Sequence, residues 1–191
     1  MKRKMMLPID IKLDYSGLTI NPSPKKKKTS LKKTEKYHKK RRTIPNTIRN
    51  KIDNHEIVYG ARALNKRFPP FLDKHTTDYD IYTPHPKRDA HETERALDKK
   101  FGGDFFHVEP AQHPDTYRVK SHVDGEVVAD YTKPDEHIPS DKIDGVRYVK
   151  LSHVKKHIGK TLNDPSASYR HDKDRDALNR IKLYEKQRRN R

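Results

Sequence analysis

Positive charge divides this chain before any element can be assigned. The first 50 residues carry 16 Lys/Arg against three acids, Asp10, Asp14 and Glu35, a net of +13 out of a chain total of +17. The remainder carries 28 against 24 and is nearly balanced. The densest stretch is Lys25-Lys26-Lys27-Lys28, Lys32-Lys33, Lys36 and Lys39-Lys40-Arg41-Arg42. Like charges at this density repel one another and bury nothing, which predicts a disordered basic N-terminal arm over residues 21–50 until an anion binds it. A polyanion releases condensed counterions when such a segment binds, giving strong, salt-dependent and sequence-indifferent attraction. Lys25, Lys26, Lys27, Lys28, Lys32, Lys33, Lys39, Lys40, Arg41 and Arg42 are therefore expected to contact nucleic acid, RNA or DNA. A solubilising or nuclear-import tail has the same composition. An anionic membrane surface fits less well, because no amphipathic apolar face is present to insert.

Upstream, Ile9, Ile11, Leu13 and Tyr15 alternate with Asp10, Lys12 and Asp14, the period of a strand. Residues 1–20 are read as a docking strand able to add to a sheet edge of this molecule or a partner; an extended terminus fits the same pattern. Only 30% of residues are apolar and 37% are charged, so the core is small and belongs to one domain with an appendage. Cysteine is absent, which excludes disulfides and thiolate zinc sites and suits a reducing, intracellular compartment. No run approaches the ~18 to 20 apolar residues of a membrane span, and no signal-peptide apolar stretch follows Met1-Lys2-Arg3. No membrane partner is expected.

From about Ile48 the pattern becomes that of an ordered domain, 51–169, followed by a charged helix over 170–191. Glu56–Tyr59 is a short strand running into Gly60, and Ala61–Arg67 supplies two helical turns stopped by Pro69-Pro70. Thr77–Tyr82 is a second strand. Ala90–Phe101 is a helix ended by Gly102-Gly103, and Phe105–Glu109 a third strand. Thr116–Val123 and Glu126–Thr132 flank Asp124-Gly125, the sequence preferred by a two-residue type I′ hairpin turn. Val146–Leu151 suits another strand or the lead into a helix around 152–160.

Asp78 and Asp80 are two apart in the second strand, so both carboxylates project from one face while Tyr79 and Ile81 face the core. Adjacent carboxylates repel and need a cation or proton between them; hard divalent cations take such oxygen ligands. Asp130, after Val127-Val128-Ala129, joins them if its strand lies alongside.

The order of these parts resembles the nucleotidyltransferase superfamily, the palm shared by DNA polymerase beta and poly(A) polymerases, and most closely the poly(A) polymerase catalytic domains of large DNA viruses. The residues that carry the likeness are Val58-Tyr59-Gly60-Ala61-Arg62-Ala63-Leu64-Asn65, Thr77-Asp78-Tyr79-Asp80-Ile81-Tyr82 and Ala90. It continues through His113-Pro114-Asp115-Thr116-Tyr117-Arg118-Val119, Val128-Ala129-Asp130-Tyr131-Thr132 and Ile143-Asp144-Gly145-Val146-Arg147-Tyr148. The resemblance implies an α+β fold, a small mixed sheet with helices on one face. It also implies Mg²⁺- or Mn²⁺-dependent transfer of nucleotides, from ATP by resemblance, to a nucleic-acid 3′ end. Asp78, Asp80 and Asp130 would be the catalytic metal ligands, and Gly60, Ala61 and Arg62 the nucleotide-binding turn.

Two departures open an alternative. The family's second small residue is Ala61 and the next, often a hydroxyl residue, is Arg62, which can meet a phosphate or fill the pocket. Poly(A) polymerases carry further domains that grip primer and base, contacts a protein partner would have to supply here. The alternative is a catalytically inactive nucleotidyltransferase-fold protein that binds nucleic acid, or serves virion assembly, through its basic tail. The nucleus, a viral factory and the virion are all compatible locations. His153 and His157 have a helical zinc spacing, yet lack a third ligand and adjoin Lys155-Lys156. No Walker, Rossmann or Ser/Cys nucleophile motif occurs.

Overall fold

The computed structural model describes residues 26–190, with side chains from 31 onward. The proposed docking strand and the side chains of Lys25 to Lys28 lie outside the described residues. In chain order the elements are α1 (Lys26–Lys40), α2 (Ile44–Arg49), β1 (Ile57–Tyr59), α3 (Gly60–Asn65), β2 (Tyr79–Tyr82) and α4 (Pro86–Phe101). Then follow β3 (Phe106–Pro110), β4 (Thr116–Ser121), β5 (Val127–Thr132), β6 (Ser140–Ile143), β7 (Val146–Val149), α5 (Leu151–Leu162) and α6 (His171–Arg189).

One seven-stranded sheet runs β3-β4-β5-β2-β1-β7-β6. β2 pairs parallel with β5 and β1 parallel with β7, while β1 and β2 are antiparallel. The fold is thus α+β around a mixed sheet. Alternation sorts its two faces: Val58, Tyr79, Ile81, Val119, Ala129 and Tyr131 are buried on one side, packed with Ala90, Leu97 and Phe101 of α4. Asp80, Asp130 and Arg118 fall on the other. A second apolar cluster joins α3, α5 and α6 through Leu64, Phe68, Leu72, Ile158 and Ile181.

α4 starts four residues earlier than the sequence predicts, because Pro86 occupies the first turn, where its missing N–H costs nothing. It ends as expected on Gly102 in the left-handed conformation, φ 71°. The Asp124-Gly125 hairpin exists, but its turn is longer than two residues. The N–H of Gly125 donates to the Ser121 carbonyl at 3.0 Å, and that of Ser121 to the Glu126 carbonyl at 2.9 Å. Gly125 has a positive φ and Asp124 does not, so the turn is not type I′. The Asp124 carboxylate instead accepts from the Glu126 N–H and the Tyr37 hydroxyl. The two-residue turn with both φ positive is Asp144-Gly145, between β6 and β7.

The larger correction concerns the basic segment. Tyr37, Ile44 and Ile48 are buried in the main core, and Tyr37 packs against the rings of Phe101 and Phe106. Residues 31–50 are therefore part of the domain rather than a disordered arm. Three large apolar side chains, each contributing roughly 1.5–3 kcal/mol on burial, offset the repulsion among the lysines.

Candidate active site

The site begins with a turn that only glycine accommodates. Gly60 follows β1 with φ +66°, and a Cβ there would lie 2.0 Å from Oδ2 of Asp80. The absent side chain lets the β1–α3 turn press against that carboxylate. Asp78 occupies the bend just before β2, where its Oδ1 accepts from the Thr76 hydroxyl at 2.5 Å. Asp80 is in register with Asp130 across the parallel β2–β5 pair. Asp80 and Asp130 are thus neighbours on one face of the sheet, and Asp78, in the bend before β2, lies near enough for its charge to act on Asp80.

Their environments differ. Asp80 makes no hydrogen bond and no ion pair among the described residues. Burial, then the Asp78 charge, pushes its pKa up to about 7, with Asp130 adding to the rise and Lys173 and Arg170 opposing it. Asp130 is held by Arg118, whose Nε and Nη2 donate to its two oxygens at 3.2 and 3.0 Å. That fork-to-fork pairing satisfies the carboxylate. Among the described residues, no three His, Cys, Asp or Glu side chains form a ready-made metal cluster.

Arg118 was legible only as part of a motif, without a role. A two-residue turn at Asp124-Gly125 would pair Val123 with Glu126 and hence set Arg118 opposite Tyr131, on the core face. The longer turn and the register shift between Val119 and Lys120 place it opposite Asp130 instead.

Arg62 turns away from the acids. Its guanidinium lies 3.9 Å over the Tyr79 ring, and it donates through Nε to the Asp78 carbonyl and through Nη2 to that of Thr77 at 3.2 Å. It fixes the segment entering β2, which replaces the expected phosphate contact or pocket filling. Ala61 is half-buried beside Gly60.

Two cations at the start of the charged C-terminal helix act on Asp80 through their charge. α6 is anchored beside the lead-in to β2: Arg180 donates to the Leu72 carbonyl and the Asn65 side chain, and Lys74 pairs with Asp176. Its first turn carries Lys173, which has no partner among the described residues, and its N-cap is Arg170, which among them reaches only Asp174, at 3.6 Å. Further along the same face Tyr59 and Tyr82 stack with ring centroids 3.9 Å apart, and the Tyr59 hydroxyl bonds Thr132 at 3.1 Å.

The predicted nucleic-acid cations separate into two groups. Lys40 donates to the Lys100 carbonyl at 2.8 Å, Arg41 pairs with Glu126 and Lys33 sits over the Phe105 ring. Lys32, Lys39 and Arg42 are exposed. No helix among the described residues is long and apolar enough to cross a membrane.

No known family pattern and no curated protein matches the sequence. Among solved structures, the chain is similar to the Megavirus polyadenylate synthase, with a TM-score of 0.66 and 23% identity over 92% of this chain. The chain spans 40% of that protein's length. The resemblance read from Gly60, Asp78-Tyr79-Asp80 and Asp130 thus extends to the fold: this chain shares the fold of that polyadenylate synthase over the part it covers.

Proposed function

We propose that this chain is a divalent-metal-dependent nucleotidyltransferase that moves a nucleotide, from ATP, onto the 3′ end of RNA or DNA. The observation that carries the reading is Asp80: a largely covered carboxylate without a partner among the described residues, lodged where a Gly60 side chain would lie, beside two further acids. The donor set fits Mg²⁺ or Mn²⁺, being oxygen-only, with neither oxygen of Asp80 taken by a hydrogen bond among the described residues. Asp78 and Asp80 would hold the ion, and Asp130 would join once Arg118 releases it. Such an ion, when bound, lowers the pKa of an attacking hydroxyl and neutralises phosphate charge.

The chain's own groups account for the rest. The close approach allowed by Gly60 and Ala61 leaves backbone N–H groups for the triphosphate, and Lys173 and Arg170 balance its charge. Arg62 keeps Asp78 and Asp80 in place from behind. The reaction joins the acceptor 3′ oxygen to the α-phosphorus and releases pyrophosphate. A protein partner that grips the acceptor strand belongs to this proposal.

Incorporation of radiolabelled nucleotide with Mg²⁺ or Mn²⁺ tests it. The parent should extend a primer, and Asp80→Asn should lose at least about 100-fold, the scale of removing one charge-stabilising group. The Arg118–Asp130 pair favours a second reading, an inactive scaffold that binds nucleic acid, since it neutralises one of three acids. No incorporation by the parent or by Arg118→Gln, with RNA binding intact, would establish that reading instead.

A further inference from the structure

We infer that the back of the domain, opposite the carboxylates, carries a rigid track for a nucleic-acid backbone, built by α1 together with the last turn of α4. The packing fixes where α1 lies. Tyr37 is fully buried against Phe101 at the end of α4 and Phe106 at the start of β3. Lys36 Nζ donates to the Gly102 carbonyl at 3.1 Å and Lys40 Nζ to the Lys100 carbonyl at 2.8 Å. Ammonium groups there satisfy free carbonyls and the negative end of the α4 dipole. α1 is therefore clamped across the final turn of α4, which brings Lys99 and Lys100 of its own.

Those bonds hold together cations that would otherwise move apart. Lys32, Lys39, Lys99 and Lys100 are exposed, and none makes a hydrogen bond or ion pair through its ammonium among the described residues. Lys32, Lys36 and Lys39 recur at helical spacing and form one stripe. The acids nearby do not neutralise it. Asp98 accepts from the Phe105 and Phe106 N–H groups, Asp104 faces His122, and Glu35 is the one acid on α1. Exposed ammoniums without a protein partner, carried on helices that are held in place, are the footprint that phosphate backbones neutralise with counterion release. A membrane fits poorly, because Leu31 is the one large apolar side chain exposed on the described part of α1.

The track does not feed the site directly. Tyr37, Phe101 and Phe106 lie on the helix-covered face of the sheet, and Asp80 and Asp130 alternate to the other. A strand bound behind would reach Asp80 around the β3 edge, past β3, β4 and β5, about 15 Å at the usual strand spacing. Lys120 and Arg118 stand on the open face along that path. The track is an anchor for a long chain rather than a grip on its end.

Binding to poly(U), followed by fluorescence anisotropy across a salt series without metal or nucleotide, tests this independently of any catalysis. Compared with the parent full chain, the variant combining Lys32→Glu, Lys39→Glu, Lys99→Glu and Lys100→Glu should bind at least about 10-fold more weakly. Its log K against log salt slope should fall by about 3, at roughly 0.7 for each phosphate no longer neutralised. A control with the same change in charge, Lys156→Glu, Lys160→Glu, Lys182→Glu and Lys186→Glu, should stay within about 3-fold of the parent. The four Lys→Ala changes at the track provide a milder version should charge reversal disturb α1. Equal losses in track and control variants, or no loss in the track variants, overturn the inference. So does a loss confined to phosphatidylserine vesicles with poly(U) binding retained.

Discussion

Gly60 and Asp80 constrain each other through a single missing carbon. Any side chain at Gly60 meets Oδ2 at 2.0 Å and must also hold a φ of +66°, a conformation that costs a non-glycine residue about 1–3 kcal/mol. Gly60→Ala should therefore lower stability by about 2 kcal/mol in denaturant unfolding, and it should abolish Mn²⁺ binding by displacing Asp80. Retained Mn²⁺ affinity in a destabilised variant would separate the fold's need for this glycine from the site's. Glu56 makes a different test, since it lies away from the three acids and is 4% exposed. Burial is the main cause that pushes its pKa up to about 7, opposed by the bond it accepts from the Asp53 N–H. The folded protein then keeps a proton that the unfolded chain has lost above about 4.5. Stability from this group is complete at low pH and disappears as pH rises through about 7. Asp80 acts in the same direction. Glu56→Gln should leave stability near pH 4.5 almost unchanged and raise it near pH 8 by an amount on the order of 2 kcal/mol. Melting curves at the two pH values read the difference.

Between elements, alternation and turn chemistry decided how much of the site could be foreseen. Asp80 facing away from Tyr79 and Ile81 follows from the period of a strand, and residue spacing alone reveals it. The neighbourhood of Asp130 does not, because it depends on register. An Asp-Gly pair signals a two-residue turn, yet Asp124 has side-chain partners in Glu126 and Tyr37 that favour a longer loop. The Tyr37 hydroxyl comes from a residue far away in sequence, so no local pattern contains it. One residue of register separates an arginine facing the core from an arginine closed on a candidate metal ligand. The pairing predicts that Arg118→Gln frees Asp130 and tightens Mn²⁺ binding by roughly 10-fold, equivalent to about 1.4 kcal/mol. Titration of water-proton relaxation by Mn²⁺ measures this. Unchanged affinity would mean that Asp130 takes no part in holding the ion.

Across the whole molecule, composition misplaced the border of the domain. A segment with eight cations and one acid between residues 31 and 50 reads as an arm because local charge density outweighs its sparse apolar residues. Tyr37, Ile44 and Ile48 are seven and four apart, a helical spacing diluted by lysines, and their burial partners lie on α4, β3 and β5. The fold was legible from motif order, whereas this attachment depends on tertiary packing with no sequence signature. It makes α1 a removable part with a specific fastening. Tyr37→Ala deletes the ring between Phe101 and Phe106 and should cost about 3–5 kcal/mol, the range for emptying a buried aromatic site. The loss should be local first. Limited trypsin digestion should cut α1 at its lysines while the fragment beginning near β1 stays protected, since the sheet, α4 and the α3–α5–α6 cluster keep their own packing. Uniform digestion of the whole chain would show instead that α1 belongs to the same cooperative unit as the sheet.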